Sequence, residues 1–448
     1  MGYLAILIGF VVLVVLCMLN VHVMIAAFAA AFVVTIMAGL PITDSLITVF
    51  FTRFGSIVGS LFPMFLFGAI LAKLYTSSGA ASSIADSICN AMFRGAKTDK
   101  GKYALGFLTV IIASAILCYG GINAAVALIA IYPIAIGVFK RAGIPKRFIM
   151  GAICGGAFTF ALSGPGSPQP TNVVGMAIGT SSYCGLVAGL VGMVVEIGVM
   201  LLVFTSMTVR ATARGETFVA GPKDVFSEDT SKPAFLVSLL PIIALLIIFN
   251  VLGVDIALSI LITSIIAALA FLPQLGTKGV FLAVNNGAAS ALAPVGAIAG
   301  VNGFAAVVQS LPEYQQLIDG MLNADVPAVI LLVACVAVIC MMTGGSTTGA
   351  QIALPAIAPA LTKLGLSLPF IHRVGVFAAT MLDSLPNSGS VIMAVGLADL
   401  KMREGYPPVF VSTVLATTCG TVAVALVMTL FPWLSLIHIS EPTRLGMI

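Results

Sequence analysis

The chain has 448 residues, of which 60% are hydrophobic and 8% charged, and its net charge is only +4; the mean hydropathy is +1.18. So few charges cannot cover the surface of a soluble domain, and a small, dispersed positive excess leaves no footprint for nucleic acid. The class that remains is an all-α polytopic membrane protein.

Spans are read as runs of roughly 17–25 apolar residues. Gly2 to Leu19 is long enough to be retained as a first span, and it lacks a basic leader and a small-residue cleavage site. Further spans are predicted near 23–40, 56–74, 145–182 with an interruption, 184–208, 235–252, 254–272, 288–310, 368–400 with an interruption, and 407–432. Two longer apolar stretches, 103–138 and 327–363, each contain a Gly-Gly pair halfway and are predicted to enter and return as hairpins. The segment Ala81 to Lys102 reads as an amphipathic interfacial helix with a basic end. The polar stretch Val209 to Pro233 has balanced charges and reads as a plain cytosolic linker.

The predicted organisation is therefore scaffold spans and an interfacial helix over 1–102, then a first core of hairpin, broken helix and span over 103–208. A linker over 209–234, further scaffold spans over 235–326 and a second core over 327–433 complete it. Residues 434–448 are set aside. "LSLIHISEPTR", Leu434 to Arg444, looks like the translation of a sequencing adapter joined to the gene. The eight cysteines are scattered without metal-ligand spacing, and no metal or cofactor is predicted.

The two cores resemble each other. Gly120 and Gly344, each opening a Gly-Gly pair, stand 224 positions apart; Phe148-Ile149 and Phe370-Ile371 stand 222 apart; Pro165 and Pro386 stand 221 apart. Lys and Arg flank 103–138 on both sides (Arg94, Lys97, Lys100 and Lys102 before, Lys140, Arg141, Lys146 and Arg147 after), which puts both of its ends in the cytoplasm. The second stretch then starts outside, so the repeats are predicted to be inverted, as in many secondary transporters.

Helix-breaking clusters at matched positions of two such halves point to a binding site at membrane depth. In hydrocarbon, irregular backbone survives only where protein, water or ligand satisfies it. Four clusters qualify: Gly120 to Asn123, Ser163 to Asn172, Thr343 to Gln351, and Asp383 to Ser390. Amides freed at a half-helix N-terminus suit a carboxylate, and freed carbonyls and hydroxyls suit a cation or a substrate hydroxyl.

"ALSGPGSPQPTNVVG" and "MLDSLPNSGSV" resemble motifs of the gluconate:proton symporter family within the ion transporter superfamily. The resemblance covers about residues 3–433 and is motif-specific in the second half of each repeat. It implies proton-driven uptake of gluconate or a related small hydroxy acid or amino acid through a multi-pass protein of a bacterial-type inner membrane. It also implies a scaffold, allowing a homodimer, and a moving domain built on two re-entrant hairpins. Carried over, the binding candidates are Ser163, Gly164, Gly166, Ser167, Asn172, Asn387 and Ser388, with Asp383 beside them and hairpin tips at Asn123 and at Ser346, Thr347 and Thr348. A sodium-coupled di- or tricarboxylate carrier of the same superfamily is the alternative.

Asp383 is the expected proton site, with capping of the following half-helix as the structural alternative. Glu196, mid-span with no basic partner nearby, is a second coupling candidate or else a structural acid. His372 and Arg373 read as interfacial anchors, and Asp255 as a helix cap. Asn302 and Gln351 are candidates for bonding a polyol chain. No Lys or Arg is expected at a span centre, so a carboxylate would be held by backbone amides and hydroxyls. An enzyme is not expected: no His-Glu-x-x-His occurs, aspartate-rich diphosphate sites are missing, and a Ser163–His372 hydrolase pair is the weakest reading.

Overall fold

Every secondary element among the described residues is helical, as apolar runs of Leu, Ile, Val and Ala in a low-dielectric medium require. The computed structural model describes all residues except 20, 82, 85–86, 88–89, 91–97, 120–123, 168–177, 222–223, 225–231, 253, 315, 317–319, 321–325 and 433–448. The first hairpin tip with Asn123, the Asn172 stretch and most of the predicted interfacial helix lie outside the described residues.

In chain order the helices are α1 (Gly2–Met18), α2 (Val23–Ala38), α3 (Phe51–Ser77, entered through a π-helical turn and holding Pro63), α4 (Asp99–Tyr119), α5 (Ala124–Ala142), α6 (Ile149–Ala157) and the short α7 (Phe160–Ser163). Then come α8 (Leu186–Thr212), α9 (Phe235–Leu246), α10 (Ile256–Ala270), α11 (Leu272–Ser290) and α12 (Leu292–Gln309). The last are α13 (Ala328–Thr343), α14 (Ser346–Lys363), α15 (Leu368–Ala379), α16 (Gly389–Leu397), α17 (Met402–Phe410) and α18 (Ala416–Leu430). By length and composition α8 and the α17–α18 run Met402–Leu430 are each able to cross a bilayer, and Asp44–Ser60 with Phe62–Ser77 is a bent pair that qualifies together. Asp255 caps α10 as expected: its Oδ1 accepts from Ala257 N at 2.9 Å and Leu258 N at 3.2 Å. Residues 273–287, left between predicted spans, fall within α11, which breaks its own geometry at Gly276.

The same packing order occurs in both halves. α4 and α5 pack as a hairpin with α6 against both, and α13 and α14 pack as a hairpin with α15 against both. α3 packs against α10, α11 and α12, and α1 and α2 pack together with α2 on α12. The long helices α8 and α18 pack on each other.

Two apolar cores result, and the broken segment joins them. Ile371, Val374 and Phe377 of α15 belong to the core of α13 and α14, whereas Val391, Ala394 and Val395 of α16 belong to that of α4, α5 and α6. α8 crosses as well, with Ala188 in one core and Met200 and Phe204 in the other; so does α18, with Val424 and Ala416. The chain between α15 and α16 thus unwinds where it passes from one packed body to the other.

The linker is more than a plain connector. Asp224 within it is buried and pairs with Lys146 Nζ at 2.6 Å, ahead of α6. It also accepts from Tyr132 Oη of α5 at 2.9 Å and from Gly221 N at 2.7 Å. Glu216 pairs with Arg147 at 2.9 Å. A buried ion pair needs such extra bonds to offset desolvation. The strap is therefore tied to the start of the first broken helix.

Candidate functional site

The second break meets the second hairpin tip. Thr343 ends α13, Gly344 turns the chain with φ +67°, and Ser346 opens α14. Asp383 Oδ2 accepts from Ser346 N at 3.2 Å, and Ser384 Oγ donates to Asp383 Oδ1 at 2.7 Å. Ser388 Oγ donates to Gly344 O at 3.3 Å, and Tyr406 Oη to Ser384 O at 3.4 Å. Asp383, Ser384, Asn387 and Ser388 are all buried. The carboxylate thus faces the positive end of α14 rather than its own following helix: α16 begins at Gly389 after Ser388, and no side chain caps it. The expected capping of the following half-helix is not found; the carboxyl meets the start of α14 instead. Asn387 Oδ1 is buried with no hydrogen-bond partner among the described residues. A buried acceptor left unmet is costly, which marks this atom as open to a ligand, ion or water.

The first break falls in two steps. α6 stops at Ala157, six residues before the predicted breaker, and α7 carries the chain to Ser163. Gly164 is then extended and Gly166 has φ +72°, a conformation that suits glycine. Ser163 Oγ donates to Thr159 O at 3.3 Å and Ser167 Oγ to Ala161 O at 2.5 Å, so both hydroxyl protons serve the turn itself.

Arg373 and His372 correct the expectation of interfacial anchors, for both are fully buried. Arg373 donates from Nη1 to Ser163 O at 2.9 Å, from Nη2 to Ser182 O at 2.9 Å, and from Nε to Cys184 O at 2.8 Å. Its planar fork of donors gathers the backbone on both sides of the first break. A cation does lie deep in the fold, contrary to the expectation that none would. His372 Nδ1 lies 2.5 Å from Thr180 Oγ1. The sequence signal for both was slight, since basic residues near a helix start ordinarily reach for water.

Among the remaining predicted residues, Ser346 is buried, Thr347 and Asn302 are half-buried, and Gln351 is exposed on α14; the side chain of Thr348 lies outside the described set. Asn123 and Asn172 do too, so the structure brings together Asp383, Asn387, Ser388 and Ser346, with Ser163 joined to the second half through Arg373. Glu196 sits elsewhere, in the α8–α18 packing. A surface cavity of about 480 Å³ between α14 and α15, lined by Ile178, Pro355, Pro359 and Lys363 among others, contains none of these residues.

A chain whose described elements are all helical, with an unwound, polar, buried stretch meeting a hairpin tip, has the form of a multi-pass membrane transporter. Residues 1–285 match the family model described as GntP family permease, and the chain belongs to that family. It is 26% identical over 430 residues to an uncharacterized transporter, YxjC, of Bacillus subtilis strain 168, covering 85% of this chain and 88% of that one. It is 23% identical over 355 residues to an uncharacterized transporter of Haemophilus influenzae, covering 76% and 78%. The crystal structure of the Alcanivorax borkumensis YdaH transporter, described as having an unusual topology, aligns with 86% of this chain and 89% of its own at 16% identity and a TM-score of 0.38, too loose a likeness to define the fold.

Proposed function

We propose that the chain takes up a small hydroxy-carboxylate of the gluconate type, or a related organic acid, by proton symport with elevator-type alternating access. The observation that carries this reading is the Asp383 carboxyl, set against Ser346 N at 3.2 Å, with the unbonded Asn387 Oδ1 in the same unwound stretch. Asn387 suits a substrate hydroxyl, and the uncapped N-terminus of α16 suits its carboxylate. A protonated Asp383 spares the anion a like charge nearby. Proton and substrate therefore favour each other's binding, and by linkage the effect is mutual. Arg373 puts positive charge at the first break, where Ser163, Gly164, Gly166, Ser167 and Asn172 form the opposite wall; Asn123, Thr347, Thr348 and Gln351 complete the cradle. The hairpins α4–α5 and α13–α14 are re-entrant and inverted, and they move with α6, α15, α8 and α18 against a scaffold of α1–α3 and α9–α12. That scaffold pairs two copies in a bacterial-type inner membrane.

A second reading, sodium coupling with a di- or tricarboxylate, is favoured by the same oxygens: Asp383, Gly344 O and Asn387 Oδ1 are hard donors of the kind a small cation takes. Thermal stabilisation of the purified protein separates the two, because a ligand that binds only the folded state raises the melting temperature. Gluconate or D-serine stabilising without sodium supports the first. Citrate or succinate stabilising only with sodium supports the second. No stabilisation by any of the four contradicts both.

A further inference from the structure

Glu196 lies in the middle of α8, fully buried, and neither carboxyl oxygen has a hydrogen-bond partner among the described residues. Along one face of α8, Gly189 packs on Pro165 and Arg373, Glu196 on Gly420 of α18, and Met200 on Gly155 of α6. At 1.5 Å per residue Glu196 stands about 10 Å along the axis from the level of the first break. It packs on α18 at Gly420 rather than on the turn around Pro165. Room for the carboxyl comes from a glycine: a Cβ on Gly420 would lie 2.6 Å from Glu196 Cγ and 2.7 Å from Oε1.

The hydroxyls on α18 to either side of Gly420 are already committed as donors. Thr417 Oγ1 donates to Thr413 O at 2.8 Å and Thr421 Oγ1 to Thr417 O at 2.7 Å. Such oxygens can still accept from a carboxylic O–H but have no proton left for a carboxylate. Ionisable groups on the packed elements are Cys419 on α18, Arg373 and His372 on α15, Cys154 on α6, and Cys118 with Asp99, Lys100, Lys102 and Tyr103 on α4, where the side chain of Tyr119 lies outside the described set. None of them makes a hydrogen bond to either oxygen of Glu196. An isolated charge in such a place costs several kcal/mol.

We propose that Glu196 is a second proton-binding site, held in the seam between α8 and α18 and separate from Asp383. It keeps its proton while the seam is dry. When the moving body shifts and water reaches the carboxyl, the O–H bond breaks, its electron pair stays on the carboxylate and the proton passes to water. The site rests on the transporter reading only in that this movement must bring water to the seam.

Infrared absorption of the full chain in lipid vesicles at pH 8 tests this directly, because a protonated carboxyl has a carbonyl-stretch band that a carboxylate lacks. The expected result is a band component lost in Glu196→Gln and kept in Asp383→Asn. A Glu196→Gln spectrum with every component of the wild-type band intact overturns the proposal. Should Glu196→Gln fail to fold, Gly420→Ala must shift that component by pressing a methyl on the carboxyl, and an unshifted band likewise overturns it. In vesicles given a pH gradient, Glu196→Gln is expected to carry one proton fewer per gluconate; an unchanged ratio contradicts the release step. A Glu196 band in a protein that moves no organic acid would uphold this site and sink the transport reading instead.

Discussion

Arg373, in the first half of the second broken helix, donates to the backbone carbonyl of Ser163 at the first break, 210 residues earlier in the chain, at 2.9 Å. The two interrupted segments are thereby joined directly. Arg373→Lys replaces a fork by a single ammonium and leaves at least some of the carbonyls of Ser163, Ser182 and Cys184 without their present donor, at roughly 1–3 kcal/mol each. The expected outcome is a lower melting temperature in detergent and loss of uptake, with Arg373→Ala lower still. A lysine variant as stable and active as the parent would remove Arg373 from the site.

Asp383→Asn keeps an oxygen that can accept from Ser346 N, so the tip should hold its shape and the protein its melting temperature. What it loses is the proton. Uptake driven by a pH gradient is expected to vanish while the folded protein persists. Undiminished uptake would take Asp383 out of the coupling step.

Asn387 makes no recorded bond through Oδ1, so its removal costs the fold little. Asn387→Ala is expected to change stability by less than about 1 kcal/mol, the scale of one net hydrogen bond. It should raise the apparent KM about tenfold, equivalent to about 1.4 kcal/mol of substrate binding. Measured together, an unchanged KM with a large fall in stability would make it a structural residue only.

The strap should matter for stability although it lies outside the substrate cluster. Asp224→Asn leaves Lys146 buried without its counter-charge, a loss on the order of 3–5 kcal/mol. Thermal unfolding should show a clear drop, and a melting temperature within error of the parent would mean the pair is solvated in the membrane.

Helix positions were the most legible part of the sequence, because apolar runs dictate them: a span over residues 184–208 was predicted and Leu186–Thr212 is found, whereas the runs at 3–20, 23–40 and 254–272 are found as shorter helices. The second hairpin tip was legible for a related reason, as Gly344-Gly345 between two apolar runs leaves no other place to turn. The Ser384–Ser388 break was legible from its proline and small polar residues. Less visible was the early stop of α6, since nothing in Phe158-Thr159 breaks a helix by itself. Arg373 and Asp224 could not be read correctly at all. Their partners lie far off in the chain, Ser163 for the one and Lys146 for the other, and only tertiary contact makes either worth burying. The carboxylate of Asp383 was found by its position at membrane depth, but its partner Ser346, 37 residues away, was not.

The most direct test is uptake of labelled gluconate into vesicles holding the purified protein, with a pH gradient and a sodium gradient imposed in separate experiments. Accumulation driven by the pH gradient alone, and lost in Asp383→Asn, is the predicted result. Accumulation that needs sodium and ignores pH, or none under either gradient, would contradict it.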